Sequence, residues 1–173
     1  STGSTSINLD LPGIEKNNVI SADNALLDIS KIGNNVAIVG AGLVGCETAL
    51  WLRQNNKKVT LIESTDKILS GGSNMPFMNY DMLKDLLNYN KVNIATSSIV
   101  SNISEEGIIV KTKCGEKTFN VDTIILSVGY KSDDSLYWKL DKLVDDIYLV
   151  GDAKNVKNIM YAIWDAYEIT RNI

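Results

Sequence analysis

The sequence predicts an α/β fold in which parallel strands alternate with helices, and three features carry that expectation. An unbroken apolar run, "VAIV" at Val36 to Val39, is followed by a glycine-rich turn and a helical pattern from Leu43 to Gln54, and then by a second β-favouring run, "VTLIE", at Val59 to Glu63. A strand covered on both faces reads as continuous apolar residues rather than as an alternation. Strand, helix and strand in that order is the unit from which parallel sheets are built.

The elements follow in chain order. Residues 1–32 contain "LPG" at Leu11 to Gly13 and no sustained period, so they read as an irregular connection with a short strand near Asn18 to Ile20. The Leu43 helix ends at "NNKK", before the second strand. Beyond the loop "SGGSN", apolar residues at Met78, Met82, Leu83, Leu86 and Leu87 fall at helical spacing, and "VNIA" at Val92 to Ala95 supplies a third strand. Strand and helix thus alternate through a doubly wound pattern. The period then changes to short strands, about 99–103, 107–112 and 117–120, separated by "SEEG" and "CG", which predicts a three-strand antiparallel meander. "TIILSVG", Thr123 to Gly129, restores a buried strand. The charged stretch from Lys131 to Asp146 reads as solvated surface, "IYLVGDA" follows, and a last helix is expected over about 158–172. Residues 34–130 therefore read as a Rossmann-like domain, a parallel sheet plus the meander, flanked by 1–33 and 131–173.

Composition narrows the function classes. A chain of 173 residues with 45% hydrophobic content can bury one good core and part of a second. The net charge of −4 and the scattered lysines argue against a grip on nucleic acid or on an anionic membrane. Trp51, Trp138 and Trp164 lack basic neighbours, so a nucleic-acid stacking platform is not expected. Cys46 and Cys114 are far apart and outside any CxxC, and there is no histidine, so neither a disulfide framework nor a zinc site is expected. No apolar run approaches membrane-spanning length and no basic leader precedes one, which makes a soluble, cytoplasmic chain the expectation.

The chemistry lies in the glycine turn. Gly40, Gly42 and Gly45 form G-x-G-x-x-G directly after a strand and directly before a helix. The first glycine allows the tight turn, the second lets a pyrophosphate approach the backbone, and the third lets helix and strand pack closely. The free N–H groups and positive dipole end at Leu43 and Val44 suit negative phosphates. Glu63, eighteen residues past Gly45, closes the second strand, where a carboxylate can accept hydrogen bonds from adenosine ribose hydroxyls. A 2′-phosphate would be repelled there and "STDK" offers no arginine to receive it, so NADH is expected over NADPH. Cys46 reads as a small buried residue. Glu47 either faces the cofactor or compensates the helix dipole. Met75, Met78 and Met82 read as core or helix-packing residues.

The stretches "VAIVGAGLVGCETALWL", "ILSVGYKSD" and "IYLVGDAKNVKNIMYAIWDAYE" resemble the C-terminal module of the NADH:flavin oxidoreductases related to old yellow enzyme, such as 2,4-dienoyl-CoA reductase and enoate reductase, within the pyridine nucleotide-disulfide oxidoreductase superfamily. The resemblance implies an NADH-binding domain inserted into a FAD-binding domain, with residues 1–33 ending the first flavin-type part and 131–173 returning to it. It places Gly40, Gly42, Leu43, Val44, Gly45 and Glu63 on NADH, Gly129 beside the bound nucleotide, and Asp152 of "VGD" on FAD. It implies that the parent passes hydride from NADH to a flavin and on to an activated C=C bond. No upstream G-x-G-x-x-G is present to hold FAD, so this chain is expected not to retain it, and its expected partners are the flavin half and an N-terminal barrel of the same polypeptide. No catalytic residue and no metal ligand are expected here, and the chain alone is expected to be inactive. Three other readings stay open: an NADH oxidase or disulfide reductase of the same superfamily, a non-catalytic ADP-binding module, and a glycine turn that holds FAD itself.

Overall fold

Along the computed structural model, which describes residues 2–70 and 76–173, the strands are β1 (Ser4–Ser6), β2 (Val19–Ser21), β3 (Asn35–Val39), β4 (Lys58–Ile62), β5 (Asn93–Ala95), β6 (Ile99–Ser104), β7 (Gly107–Thr112), β8 (Gly115–Asn120), β9 (Thr123–Leu126) and β10 (Tyr130–Ser132). The helices are α1 (Ala22–Leu27), α2 (Leu43–Gln54), α3 (Phe77–Tyr89), α4 (Ser135–Leu140) and α5 (Ile159–Thr170). Two compact units emerge, Asn8–Val128 and a smaller one made of Ser1–Ile7 with Gly129–Ile173.

The larger unit is built on a five-stranded parallel sheet in the order β2-β9-β3-β4-β5. Side chains alternate across a strand, and β3 uses both of its faces. Val36 and Ile38 enter one core with Leu61, Ile125, Ala49, Leu52, Leu83 and Leu87, so α1, α2 and α3 all cover that side. Ala37 and Val39 enter a second core with Ile62, Ile124, Val100, Ile103, Ile108 and Val110, where the antiparallel meander β6-β7-β8 takes the place of helices. The continuous apolar runs are thereby explained. The alternation of strand and helix does not wrap this sheet in helices on both faces, because the meander occupies the second one.

Two expectations need correction. The short strand expected near Asn18 to Ile20 is β2, paired with β9 at the sheet edge, but the rest of residues 8–32 is less irregular than expected: α1 buries Ala22 and Ala25, and the Ile103 N–H donates to the Pro12 carbonyl. Their periods are too short to register in sequence. Met78 and Met82 are not core residues, being 80% and 57% exposed. Leu83 and Leu87 define the buried stripe of α3, and Met78 and Met82 sit beside the groove lined also by Phe77, Leu86 and Tyr89. Met75 lies outside the described residues, as does most of the "SGGSN" loop. The stretch 131–146 is largely exposed, as expected, and contains most of β10 and all of α4.

In the smaller unit β1 and β10 pair antiparallel, with Ser4 opposite Ser132 and Ser6 opposite Tyr130. A single 3-10 turn covers Gly151–Ala153, and α5 follows, its start capped by Asn158, whose side chain accepts from the Tyr161 N–H at 3.3 Å. No residue of α4 or α5 is buried, and Ile159 of α5 is 79% exposed. Among the described residues no helix is long and apolar enough to cross a membrane.

Candidate functional site

The carboxyl ends of β3 and β4 bring the glycine turn and Glu63 together. Gly40 stands at φ +99°, a conformation that side chains rarely adopt, and its N–H donates to the Ile62 carbonyl at 2.8 Å. A Cβ at Gly45 would run into the Gly40 carbonyl oxygen, so α2 leaves the strand at a distance only glycine permits. Gly42 differs from both. It is the N-cap of α2 at φ −70° and ψ −172°, and a Cβ there would meet no atom within 4 Å. The Cys46 N–H makes the first helical bond, to Gly42 O at 3.0 Å. A helix start leaves its leading N–H groups without intrahelical acceptors, here those of Gly42, Leu43, Val44 and Gly45. With the open space at the Gly42 Cβ position and the positive end of the helix dipole behind them, they form an arrangement suited to an anion.

Glu63 follows β4 directly, half-buried, with its carboxylate turned back to the glycine turn. Oε2 accepts from the Ala41 N–H at 2.8 Å. Oε1 accepts from the Thr65 N–H at 2.8 Å, the Thr65 hydroxyl at 3.0 Å and the Ser64 hydroxyl at 3.1 Å. Burial pushes this carboxyl's pKa up, but the N–H groups of Thr65 and Ala41 and the hydroxyls of Thr65 and Ser64 outweigh it and hold it below the usual range. The group is therefore a carboxylate at neutral pH. The Ala41 carbonyl in turn accepts from the N–H of Leu69, a buried residue held at φ +58°.

Of the residues singled out in sequence, Gly40, Gly42, Leu43, Val44, Gly45 and Glu63 gather at this one place in the larger unit. Gly129 and Asp152 belong to the smaller unit. Gly129 stands at φ +105°, and its carbonyl accepts from the Ile7 N–H at 3.0 Å. Asp152 accepts from the Ser4 hydroxyl and from the Lys157 N–H, both at 3.2 Å, so both carboxylate oxygens already serve the chain. Cys46 is fully buried, its thiol 3.4 Å from the Ala41 carbonyl. Burial, followed by the charges of Glu63 and Glu47, pushes its pKa up to about 12, far from any reactive range. Glu47 is exposed and lies beyond the first turn of α2, past the reach of the dipole effect that one reading gave it.

Ala41, Ser64 and Thr65 were not singled out in sequence, although they complete the site. A signal for the last two existed: Ser and Thr directly after an acidic residue at a strand end readily hydrogen-bond to a nearby group. Among the described residues no cluster of three metal-ligating side chains occurs.

Residues 1–166 match the family model of the pyridine nucleotide-disulphide oxidoreductases. The chain is 42% identical over 172 residues to the cinnamate reductase of Clostridium sporogenes, covering 99% of this chain and 26% of that protein. Its fold resembles a 2-naphthoyl-CoA reductase in complex with 2-naphthoyl-CoA, with a TM-score of 0.91 at 23% identity, over 100% of this chain and 26% of the other. It also resembles the water-forming NADH oxidase of Lactobacillus brevis bound to NADH, with a TM-score of 0.61 at 23% identity, over 84% of this chain and 32% of the other. The chain spans about a quarter of the length of the first curated relatives it matches, between 26% and 29%.

Proposed function

Because the chain belongs to the pyridine nucleotide-disulphide oxidoreductase family, whose members use nicotinamide and flavin dinucleotides, we propose that residues 34–130 form the NADH site of a larger flavin-dependent oxidoreductase. The observation that carries this reading is the Glu63 carboxylate, fixed 2.8 Å from the Ala41 N–H inside the glycine turn, one residue before Gly42, whose Cβ position is open. A pyrophosphate fits there, because the position facing it has no side chain and the helix start supplies donors. The adenosine ribose then falls beside Glu63, where hydroxyls are accepted and a 2′-phosphate is repelled.

Bound NADH supplies a hydride and a flavin accepts it. The chain's own residues bind and orient. Gly42, Leu43 and Val44 direct N–H groups at the phosphates, Gly40 and Gly45 keep strand and helix close enough for that geometry, and Glu63 holds the ribose. No side chain near the turn is offered as an acid, base or nucleophile. For the flavin, Asp152 and Gly129 are the proposed contributors, although both Asp152 oxygens hold protein donors and would have to exchange them. We place the remainder of the flavin site, and the acceptor site, on the polypeptide that the longer relatives carry. The flavin half and an N-terminal barrel of the old yellow enzyme type are the proposed partners, with soluble cytoplasmic location. The 42% identity to a cinnamate reductase supports an activated C=C bond as the parent's final acceptor.

Calorimetric titration of this chain with NADH, NADPH, ADP and FAD tests the proposal. Binding of NADH and ADP with clearly weaker NADPH is the expected pattern. Binding of FAD alone would move the glycine turn to the flavin, and NADPH equal to NADH would remove Glu63 as selector.

A further inference from the structure

We infer that Thr65 is a positioning residue for the ribose end of this site, holding the Glu63 carboxylate so that Oε2 is presented to the ligand. The inference rests on the dinucleotide reading of the glycine turn. A carboxylate has about four acceptor directions, two on each oxygen. Among the described residues Oε1 receives three donors and is filled, whereas Oε2 receives one, the Ala41 N–H, and so keeps one direction open. The single bond from Ala41 would let the carboxylate pivot about it. Thr65 removes that freedom with two bonds to the opposite oxygen, from its N–H at 2.8 Å and its hydroxyl at 3.0 Å.

Thr65 can act this way because its own position is set elsewhere. Its carbonyl accepts from the Ser97 N–H at 2.7 Å, next to Ser98, whose N–H donates to the Glu63 carbonyl at 2.8 Å. Its Oγ1 lies 2.8 Å from the Lys67 carbonyl and 3.1 Å from the Ser70 hydroxyl. A hydroxyl has one proton to give. With Ser70 donating to Thr65, that proton is contested by Glu63 and Lys67, and the charged acceptor forms the stronger bond. Ser64 adds one hydroxyl bond against the two that Thr65 gives, so the orientation of Glu63 depends mainly on Thr65.

Thr65→Val keeps the branched shape and the N–H and deletes the hydroxyl, while Thr65→Ser restores it. The readout is the ratio of affinities for ADP and for 2′,3′-dideoxy-ADP, measured by calorimetry, because only the former has hydroxyls for Glu63. In Thr65→Val this ratio should fall about three- to tenfold with dideoxy-ADP binding unchanged, and Thr65→Ser should stay within about twofold of wild type. Thr65→Ala, expected to repeat the Val result, serves if that variant folds poorly. An unchanged ratio in variants lacking the hydroxyl overturns the positioning role and leaves the nucleotide site standing. Equal loss of both ligands also overturns it, since Thr65 would then only maintain the loop. Failure of the wild-type chain to bind ADP refutes the site itself, and the inference with it.

Discussion

Gly42→Ala separates the nucleotide site from the fold more sharply than any other single change. The residue's φ of −70° and ψ of −172° are open to any L-amino acid, and an added Cβ meets no atom within 4 Å. Replacing a glycine in an allowed conformation stabilises by about 0.4–1 kcal/mol through the unfolded chain. Alanine is the poorer N-cap, which costs roughly 0.5–1 kcal/mol. The two effects offset each other to within about 1 kcal/mol, a change in melting temperature of no more than about 4 °C. In the ligand complex the same methyl occupies the space through which a pyrophosphate reaches the backbone. Losing one charge-assisted hydrogen bond, at about 1.5–3 kcal/mol, weakens binding roughly tenfold to a hundredfold. Thermal melting by circular dichroism and calorimetric titration with NADH measure the two quantities on one sample. An unchanged melting point together with unchanged NADH affinity would refute the argument, because no phosphate would then approach Gly42. Gly45→Ala is the control with the opposite profile: its Cβ would run into the Gly40 carbonyl oxygen, so overpacking should lower stability by about 1–3 kcal/mol.

Glu63→Ala should lower both stability and ADP affinity, because the buried Ala41 residue loses the acceptor of its N–H, at a cost of about 1–3 kcal/mol and a fall in melting temperature of roughly 2–10 °C; a variant that melts like wild type would show that water replaces the carboxylate there. Hydrogen bonds depress the folded pKa of Glu63 despite its burial, so its stabilising contribution is fully present above the unfolded value of about 4.3 and is lost as pH falls through the lower folded value. The preference for ADP over dideoxy-ADP should accordingly persist at about pH 5, and a decline between about pH 7 and pH 6 would point to another titrating group. Under native conditions a thiol reagent should label exposed Cys114 and spare Cys46, which becomes reactive only on unfolding; mass spectrometry of the labelled chain reads the outcome.

What the sequence made legible was what periodicity and glycine spacing encode. The run Val36 to Val39 announced a strand covered on both faces, and β3 is one; α2 spans the residues its pattern marked, Leu43–Gln54. The meander was readable from its turn signals because each strand is long enough to alternate. The three-residue strands β1 and β10 were hard to see, since a pairing of that length leaves no repeat and each depends on a partner more than a hundred residues away, as Ser4 depends on Ser132. Met78 and Met82 misled for a different reason. Helical spacing says that residues share a face but not which face is buried, and in α3 that choice went to Leu83 and Leu87. In the candidate site, the turn glycines and Glu63 carry a spacing signature. Ala41 contributes only backbone groups, and no side-chain pattern can mark those.

Glu63 joins the two levels, because most of its hydrogen-bonding capacity serves the chain before any ligand arrives. A ribose offers two hydroxyl donors, while among the described residues Oε2 keeps one open direction and Oε1 none. One hydroxyl can therefore be received without rearrangement, and the second requires a protein donor to leave. The Ser64 hydroxyl is the hold on Oε1 most readily given up, being the longest of the three bonds at 3.1 Å and the one from a residue that makes no second bond to this oxygen. The Thr65 N–H cannot leave as readily, since its strand-end segment is anchored through the Ser97 N–H. On the proposed reading, a second ribose bond at this carboxylate would replace the Ser64 bond, with those of Ala41 and Thr65 unchanged. Such an exchange would keep the glycine turn and the β4 end in one geometry with and without nucleotide, as the proposed role of positioning a hydride donor requires.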